Sequence, residues 1–495
     1  MTATLTAAPP VETDNPHHER RWWILAVLGI AQLMVVLDTT VVNIALPSAQ
    51  HSLGFDDGDR QWIVTAYALA FGSLLLLGGR MADLFGRKRL FLIGLIGFAV
   101  ASAVGGAATN FGMLVTSRAV QGAFGALLAP AALSLLTTTF TRPSERSKAF
   151  GIYGAIAGGG AAIGLLLGGV LTEYLSWRWC MYVNLIFAGV AFAGGWLLLH
   201  KQSSAQRPKL DLPGVVTVST GLFAVVYGFS HAETGGWADS VTIGFLVAGA
   251  ALLATFVYLQ TRVAHPLLPL RVVLDRNRGG AYLAIFAVGA GMFGVFLFLT
   301  YYLQQTLGFS AVQSGLAFLP MTATIMIMSQ IGTMVLAPRI GPRFIIGPGL
   351  AIAAVGMWML TQLDLGSTYV NGVLPATMVF GVGLGLTFSS GMSMATYGVD
   401  SQDAGVASAM VNTGQQVGGS VGTALLNTLA ASAATSYVSS HAAGPDLVAQ
   451  ATMHSYTTAF GWAAGILAAG AVICGALLRP RVPAVNPNAA EVVAL

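Results

Sequence analysis

Two ionisable side chains lie well inside apolar stretches of this 495-residue chain. Asp38 falls in VVLDTTVVNIALP, Val35 to Pro47, and Arg118 in LVTSRAVQGAFGA, Leu114 to Ala126. Glu173 stands near the end of a further apolar run. A charge at the centre of a membrane helix costs about 2.5–3.5 kcal/mol on insertion scales, so such residues pair or face a cavity. Asp38 lies nine residues before Pro47, roughly 14 Å at a helical rise of 1.5 Å per residue. Arg118 lies about six residues inside its own segment, roughly 9 Å. Both therefore fall in the same half of the membrane. An arginine beside a carboxylate favours its charged form, while burial disfavours it. A conformational change that alters either influence loads or releases a proton. The expectation is a protonation site at Asp38 tuned by Arg118; the alternative is a structural polar anchor.

The elements that must hold these groups are set by composition. The chain is 55% hydrophobic and 8% charged, against about 25% charged in soluble domains, and its mean hydropathy is +0.74. A bilayer-crossing helix needs about 20 apolar residues. Fourteen segments qualify: 22–47, 61–80, 90–109, 112–140, 149–172, 179–199, 212–230, 241–260, 280–303, 313–337, 343–362, 373–397, 404–431 and 457–478. The expected fold is an all-α integral membrane protein with no room for a separate soluble domain.

Charge sorts the loops. Of 23 Lys and Arg, 20 fall on one set of faces, Arg60 and Arg178 on the other, and Arg118 inside the membrane. This positive-inside asymmetry places both termini in the cytoplasm and requires an even helix count. The loop with Asp400 and Asp403 carries no base. The basic balance thus reports topology, and nucleic acid is not an expected partner. The start, MTATLTAAPPVETDNPHHERR, lacks the basic first region and short apolar core of a cleavable signal. Cys180 and Cys474 sit in or beside membrane segments and imply no disulfide framework.

A weak repeat divides the chain. Leu-Gly-Phe precedes a span at Leu53 and again at Leu307, and a Gly-flanked basic turn follows each. Gly54 to Gly86 is 32 residues and Gly308 to Gly341 is 33. The expected organisation is a cytoplasmic tail at 1–21, a six-helix half at 22–200, two inserted helices at 211–260, a second six-helix half at 279–479 and a cytoplasmic tail at 480–495. Repeats of this kind mark secondary transporters with a substrate site near the midplane.

GGRMADLFGRKR, Gly78 to Arg89, sets Gly79, Asp83, Gly86, Arg87 and Lys88 in one turn. Glycine permits a tight turn, and an aspartate there can cap a helix or pair with a base. With this turn, the chain resembles the major facilitator superfamily, and within it the fourteen-helix drug:proton antiporters of the EmrB/QacA type. The turn resembles that superfamily's motif A. LDTTVVNIALP, Leu37 to Pro47, resembles the helix-one signature of the fourteen-helix branch. LVTSRAVQGAFGA resembles motif B, whose arginine is linked to proton coupling, here Arg118. The antiporter motif C resembles GIYGAIAGGGAAIGLLLGGVL, in which Gly164, Gly168 and Gly169 survive, but Leu165 stands where the family has proline. Ile186, after Asn184-Leu185, likewise replaces a family proline, and Leu84 stands where a base is frequent. Small residues four apart permit close helix contact. The resemblance implies a cytoplasmic latch at Gly79–Arg89, tight packing along Gly164, Gly168 and Gly169, and two halves rocking about a central cavity.

Substrate signals are sparser. Tyr282, Phe286, Phe293 and Phe296 lie within about an 80° arc at 100° per residue. They read either as a wall for flat lipophilic ligands or as plain packing. Asn412, Gln415 and Gln416 bond either a substrate or a neighbouring helix. The absence of a membrane carboxylate in the second half argues against dedicated dication transport. None of the four lysines follows a glycine, so there is no nucleotide-binding loop of the Gly-Lys type. The eight histidines lie in tails, loops or span edges, so neither an enzyme nor a metal site is expected. The reading is a proton-coupled exporter of lipophilic compounds in a bacterial plasma membrane. It is driven by the proton gradient without a cofactor, with small lipophilic substrates, protons and the bilayer as partners. An exporter of an endogenous metabolite or lipid, or a proton-coupled uptake symporter, shares the same sequence features.

Overall fold

The computed structural model describes residues 20–480 except 57, 141–142, 200–210, 265, 338, 398, 400–403 and 443. The tails expected at 1–21 and 480–495 fall almost wholly outside the described residues. Among those described, regular structure is helical, and fourteen helices are 18–37 residues long. They are α1 Arg21–Leu53, α2 Arg60–Phe85, α3 Arg87–Gly106, α4 Phe111–Thr139, α5 Pro143–Tyr174, α6 Trp179–Leu198, α7 Leu212–Gly235 and α8 Ser240–Arg262. After a single turn, α9 Leu270–Val273, come α10 Arg276–Tyr301, α11 Ala311–Gln330, α12 Arg343–Leu360, α13 Leu374–Thr396, α14 Ala404–Ser440 and α15 Leu447–Leu477. A backbone in hydrocarbon must satisfy its own polar groups, and the helix does so within one segment.

Twelve of the helices are long and apolar enough to cross a membrane by length and composition. The remaining two are α5, whose apolar portion among the described residues is Gly159–Tyr174, and α14. The latter carries Gln416, Ser420, Thr423, Asn427 and Thr428, all buried. Its polarity is turned towards neighbouring helices rather than outwards.

In the first group α4 packs on α2 and α3, α1 on α5 and α6, and α3 on α6. In the second, α13 packs on α11 and α12, α15 on α12 and α14, and α10 on α14. The groups meet along two seams, α2 against α14 and α5 against α11. At the second seam backbones approach closely. A Cβ on Gly169 would sit 2.8 Å from the Ala311 carbonyl oxygen, and one on Gly315 would sit 2.6 Å from that of Leu165. Glu173 Oε2 accepts from the Val312 amide across this seam at 3.0 Å. At the same end, Gln304 Nε2 donates to the Ile44 carbonyl at 3.1 Å and Tyr301 Oη to Gln50 Oε1 at 2.5 Å. Arg60 lies 4.4 Å over the Tyr301 ring.

The pair α7–α8 rides on the first seam, with α7 touching both α14 and α2. Asp211 fastens it. Its Oδ1 accepts from Gly214 N at 2.9 Å and its Oδ2 from Gln260 Nε2 at 2.8 Å, while Gln260 Oε1 accepts from Leu268 N at 2.9 Å.

The Leu-Gly-Phe repeat has a shared geometry. Gly54 and Gly308 end their helices at φ 66° and 69°, the left-handed region that glycine adopts without a Cβ penalty. The second half of the repeat differs. Gly86 takes φ 89° between α2 and α3, whereas Gly341 is not among the positive-φ glycines. There the chain leaves α11 through a π-helical segment, Ile331–Leu336.

At the start of the basic turn, the close approach belongs to Gly78 rather than Gly79. A Cβ on Gly78 would lie 2.0 Å from the Ala126 carbonyl oxygen, whereas one on Gly79 has only Pro130 Cβ, at 3.9 Å. Gly78→Ala should therefore destabilise the protein by about 1–3 kcal/mol through overpacking, and Gly79→Ala should be nearly neutral. Thermal unfolding of the two variants in detergent checks this; equal unfolding temperatures would refute it.

Candidate functional site

Five helices of the first group converge on Asp38. Its Oδ2 accepts from Arg118 Nη1 at 2.6 Å. Its Oδ1 accepts from Gln121 Nε2 at 2.7 Å and from Asn184 Nδ2 at 2.8 Å. Arg118 Nη1 also donates to Gln121 Oε1 at 2.6 Å and Arg118 Nε to the Ile63 carbonyl at 3.2 Å. The guanidinium lies 4.4 Å over the Tyr67 ring, a cation–π contact that desolvation strengthens. Ser102 Oγ accepts from Gln121 and Asn184 at 3.2 and 3.0 Å and donates to the Met181 carbonyl at 2.7 Å. Asp38, Gln121, Asn184 and Ser102 are wholly buried, and Arg118 and Tyr67 are 1% exposed. The cluster thus draws on α1, α2, α3, α4 and α6. Charge-assisted bonds of this kind are about twice as strong as neutral ones. Burying both charges is offset by these partners.

The pairing of Asp38 with Arg118 follows from depth and charge. Their uncharged partners do not. Gln121 stands in LVTSRAVQGAFGA and Asn184 two residues before Ile186, but an amide in a membrane helix is inexpensive enough to go unmarked. Its only signal was that Gln121 lies one helical turn beyond Arg118, at i+3, where side chains meet. Ser102 and Tyr67 carried no signal.

The other expected residues separate. Gly164 and Gly168 face α1: Cβ atoms there would meet Thr40 Oγ1 at 1.9 Å and the Val41 backbone at 3.0 Å. Gly169, one residue on, faces α11 instead. Leu165, in place of the family proline, is fully buried at that seam, and α5 runs unbroken from Pro143 to Tyr174. Ile186 is 62% exposed on an equally unbroken α6. In the basic turn Gly86 makes the bend, and Lys88 Nζ donates to the carbonyls of Trp196 and Leu199 at the end of α6. Arg87 is partly buried, and the Asp83 side chain lies outside the described residues. Arg178 donates to the Gly106 and Ala108 carbonyls, at 2.9 and 2.5 Å, closing α3.

The four aromatics of the arc on α10 touch different neighbours. Nineteen of the 26 residues of α10 are buried, among them Tyr282 and Phe296, while Phe286 and Phe293 are partly buried. Tyr282 donates to the Ala395 and Ala407 carbonyls at 3.0 and 3.4 Å. Phe286 joins Leu69, Val226 and Val417. Phe293 lies against Gly419, and Phe296 against Phe318 at 5.2 Å between ring centroids. Gln416 is buried where α14 meets Gly72 of α2. Gln415 Nε2 reaches Met292 Sδ at 4.0 Å, and Asn412 is exposed. Among the described residues no cluster of three or more His, Cys, Asp or Glu could hold a metal ion.

Residues 28–423 match the family model of the Major Facilitator Superfamily. The chain belongs to that superfamily. It is a multi-pass membrane transporter and not an enzyme. The puromycin resistance protein pur8 of Streptomyces alboniger is 48% identical over 485 residues, 97% of this chain and 96% of that protein. The cephamycin export protein CmcT of Amycolatopsis lactamdurans is 39% identical over 411 residues, 82% and 85% of the respective chains. Among solved structures, an auto-inhibited POT family peptide transporter aligns over 95% of this superfamily member and 98% of its own chain, with a TM-score of 0.68 at 16% identity. A bacterial homologue of the human lysosomal transporter Spinster covers 94% and 99%, with a TM-score of 0.66 at 16% identity. These two likenesses speak to the fold alone.

Proposed function

We propose that this transporter exports antibiotic-like lipophilic small molecules in exchange for protons, and that Asp38 carries the proton. The observation that carries the reading is the buried Asp38–Arg118 pair at 2.6 Å, in a chain whose relatives are named for resistance to puromycin and export of cephamycin. A buried ion pair held by five helices changes its proton affinity whenever those helices move apart. All fourteen long helices then cross a bacterial plasma membrane with both termini in the cytoplasm. This sets the end carrying Gly54 and Gly308 outside. The proton gradient supplies the energy, and alternating access between the two helix groups carries the substrate.

Substrate-driven pH change in proteoliposomes, with a panel of puromycin, cephamycin and lipophilic dyes, tests the reading. Proton movement opposite to substrate supports it. Proton movement with substrate replaces it by symport, and no proton movement ends it.

A further inference from the structure

The two oxygens of Asp38 face different chemistry. A carboxylate only accepts, so Gln121 and Asn184 both turn their NH2 groups towards Oδ1, at 2.7 and 2.8 Å. A proton on Asp38 inverts this at one oxygen, because the new O–H needs an acceptor. At Oδ2 it would oppose Arg118 Nη1, 2.6 Å away, and a guanidinium does not give up its proton. Oδ1 is left. Of the two amides there, Gln121 has its Oε1 committed to Arg118 at 2.6 Å. Asn184 does not: its Oδ1 is buried and has no hydrogen-bond partner among the described residues.

We propose that Asn184 is a positioning residue that reads the protonation state of Asp38; this rests on Asp38 being the proton carrier. Its NH2 holds the carboxylate. When a proton from the water on the accessible side adds to Oδ1, a half turn of the amide presents Oδ1 of Asn184 to the new O–H. No bond in the protein breaks, and the proton leaves to water on the other side. Ser102, which takes the second Asn184 N–H at 3.0 Å, can redirect its hydroxyl from Met181 to the turned carbonyl. The cluster passes from neutral to a net charge of +1, with the new O–H and the Ser102 hydroxyl both meeting the turned Asn184 carbonyl. Other charged or titratable groups facing Asp38 are Arg118 on α4, Tyr67 on α2 and Cys180 on α6. Among the described residues no further ion pair reaches it.

Infrared titration of the full chain in lipid tests this without a substrate. The carboxylic C=O band of protonated Asp38 is identified by its loss in Asp38→Asn. Asn184→Leu has similar size and neither donor nor acceptor. In it the pH at which the band is half-formed should rise by about one unit, a tenfold change, because the bond lost from the charged form is the stronger. The band should also move to the position of an acid whose O–H has no acceptor. Asn184→Thr, whose hydroxyl both donates and accepts, should fall between wild type and Leu, and it carries the test if the Leu variant does not fold. A Leu or Thr variant that titrates and absorbs as wild type makes Asn184 merely structural. Absence of any Asp38-dependent band in wild type overturns the proton-carrier reading itself, a different failure from an Asp38 band indifferent to residue 184.

Discussion

Asp38→Asn should abolish proton-coupled transport while leaving a folded protein that binds substrate. Proton flux driven by substrate should fall to that of empty liposomes, and substrate should equilibrate across the membrane rather than accumulate. The reason is chemical: asparagine fills the same space but takes up no proton in the working range. Folding survives because Arg118 keeps Gln121 Oε1, the Ile63 carbonyl and the Tyr67 ring face. Paired flux and binding measurements check the two halves of the claim. Normal exchange in the variant would make Asp38 structural and move coupling elsewhere. Loss of binding and flux together would leave misfolding as the simpler account, and size-exclusion profiles separate that case.

Arg118→Met should have the larger effect on stability. It removes the cation and leaves the Asp38 carboxylate wholly buried against two amide donors. Breaking a buried ion pair from one side costs about 3–5 kcal/mol. Adding Asp38→Asn to it should restore much of that loss, because the remaining charge disappears and the amide bonds are retained. Transport should not return. Unfolding of both single variants and the double variant in detergent measures the coupling directly. Additive losses, each below about 1 kcal/mol, would mean the pair is not an energetic unit.

Helical class, the number of long helices and the pairing of Asp38 with Arg118 were legible before any coordinates. Apolar runs of membrane length have one stable backbone solution, and a charge within them stands out because its transfer cost is large. The Leu-Gly-Phe repeat was legible for a related reason, since a left-handed helix end all but requires glycine. Asn184 and Ser102 were not. A neutral amide or hydroxyl costs little in a helix, so only its neighbours reveal what it does. The choice of Gly78 over Gly79 was equally hidden, because both satisfy the sequence pattern and helix rotation alone decides which meets the Ala126 carbonyl. The aromatic arc on α10 was legible only as an alternative between a ligand wall and plain packing, because its spacing does not say what lies opposite it.

What the sequence by itself determined was therefore the inventory: all-helical segments of membrane length, and an aspartate and an arginine at matching depth. Solvation energy is summed locally along the chain and can be read from it. The tertiary structure decided the rest: that Gln121, Asn184, Ser102 and Tyr67 complete the pair, and that one face of α5 meets α1 while the other meets α11. Those facts depend on the rotation and tilt of each helix against its neighbours. Rotation and tilt follow from packing over the whole bundle, and no single segment encodes them.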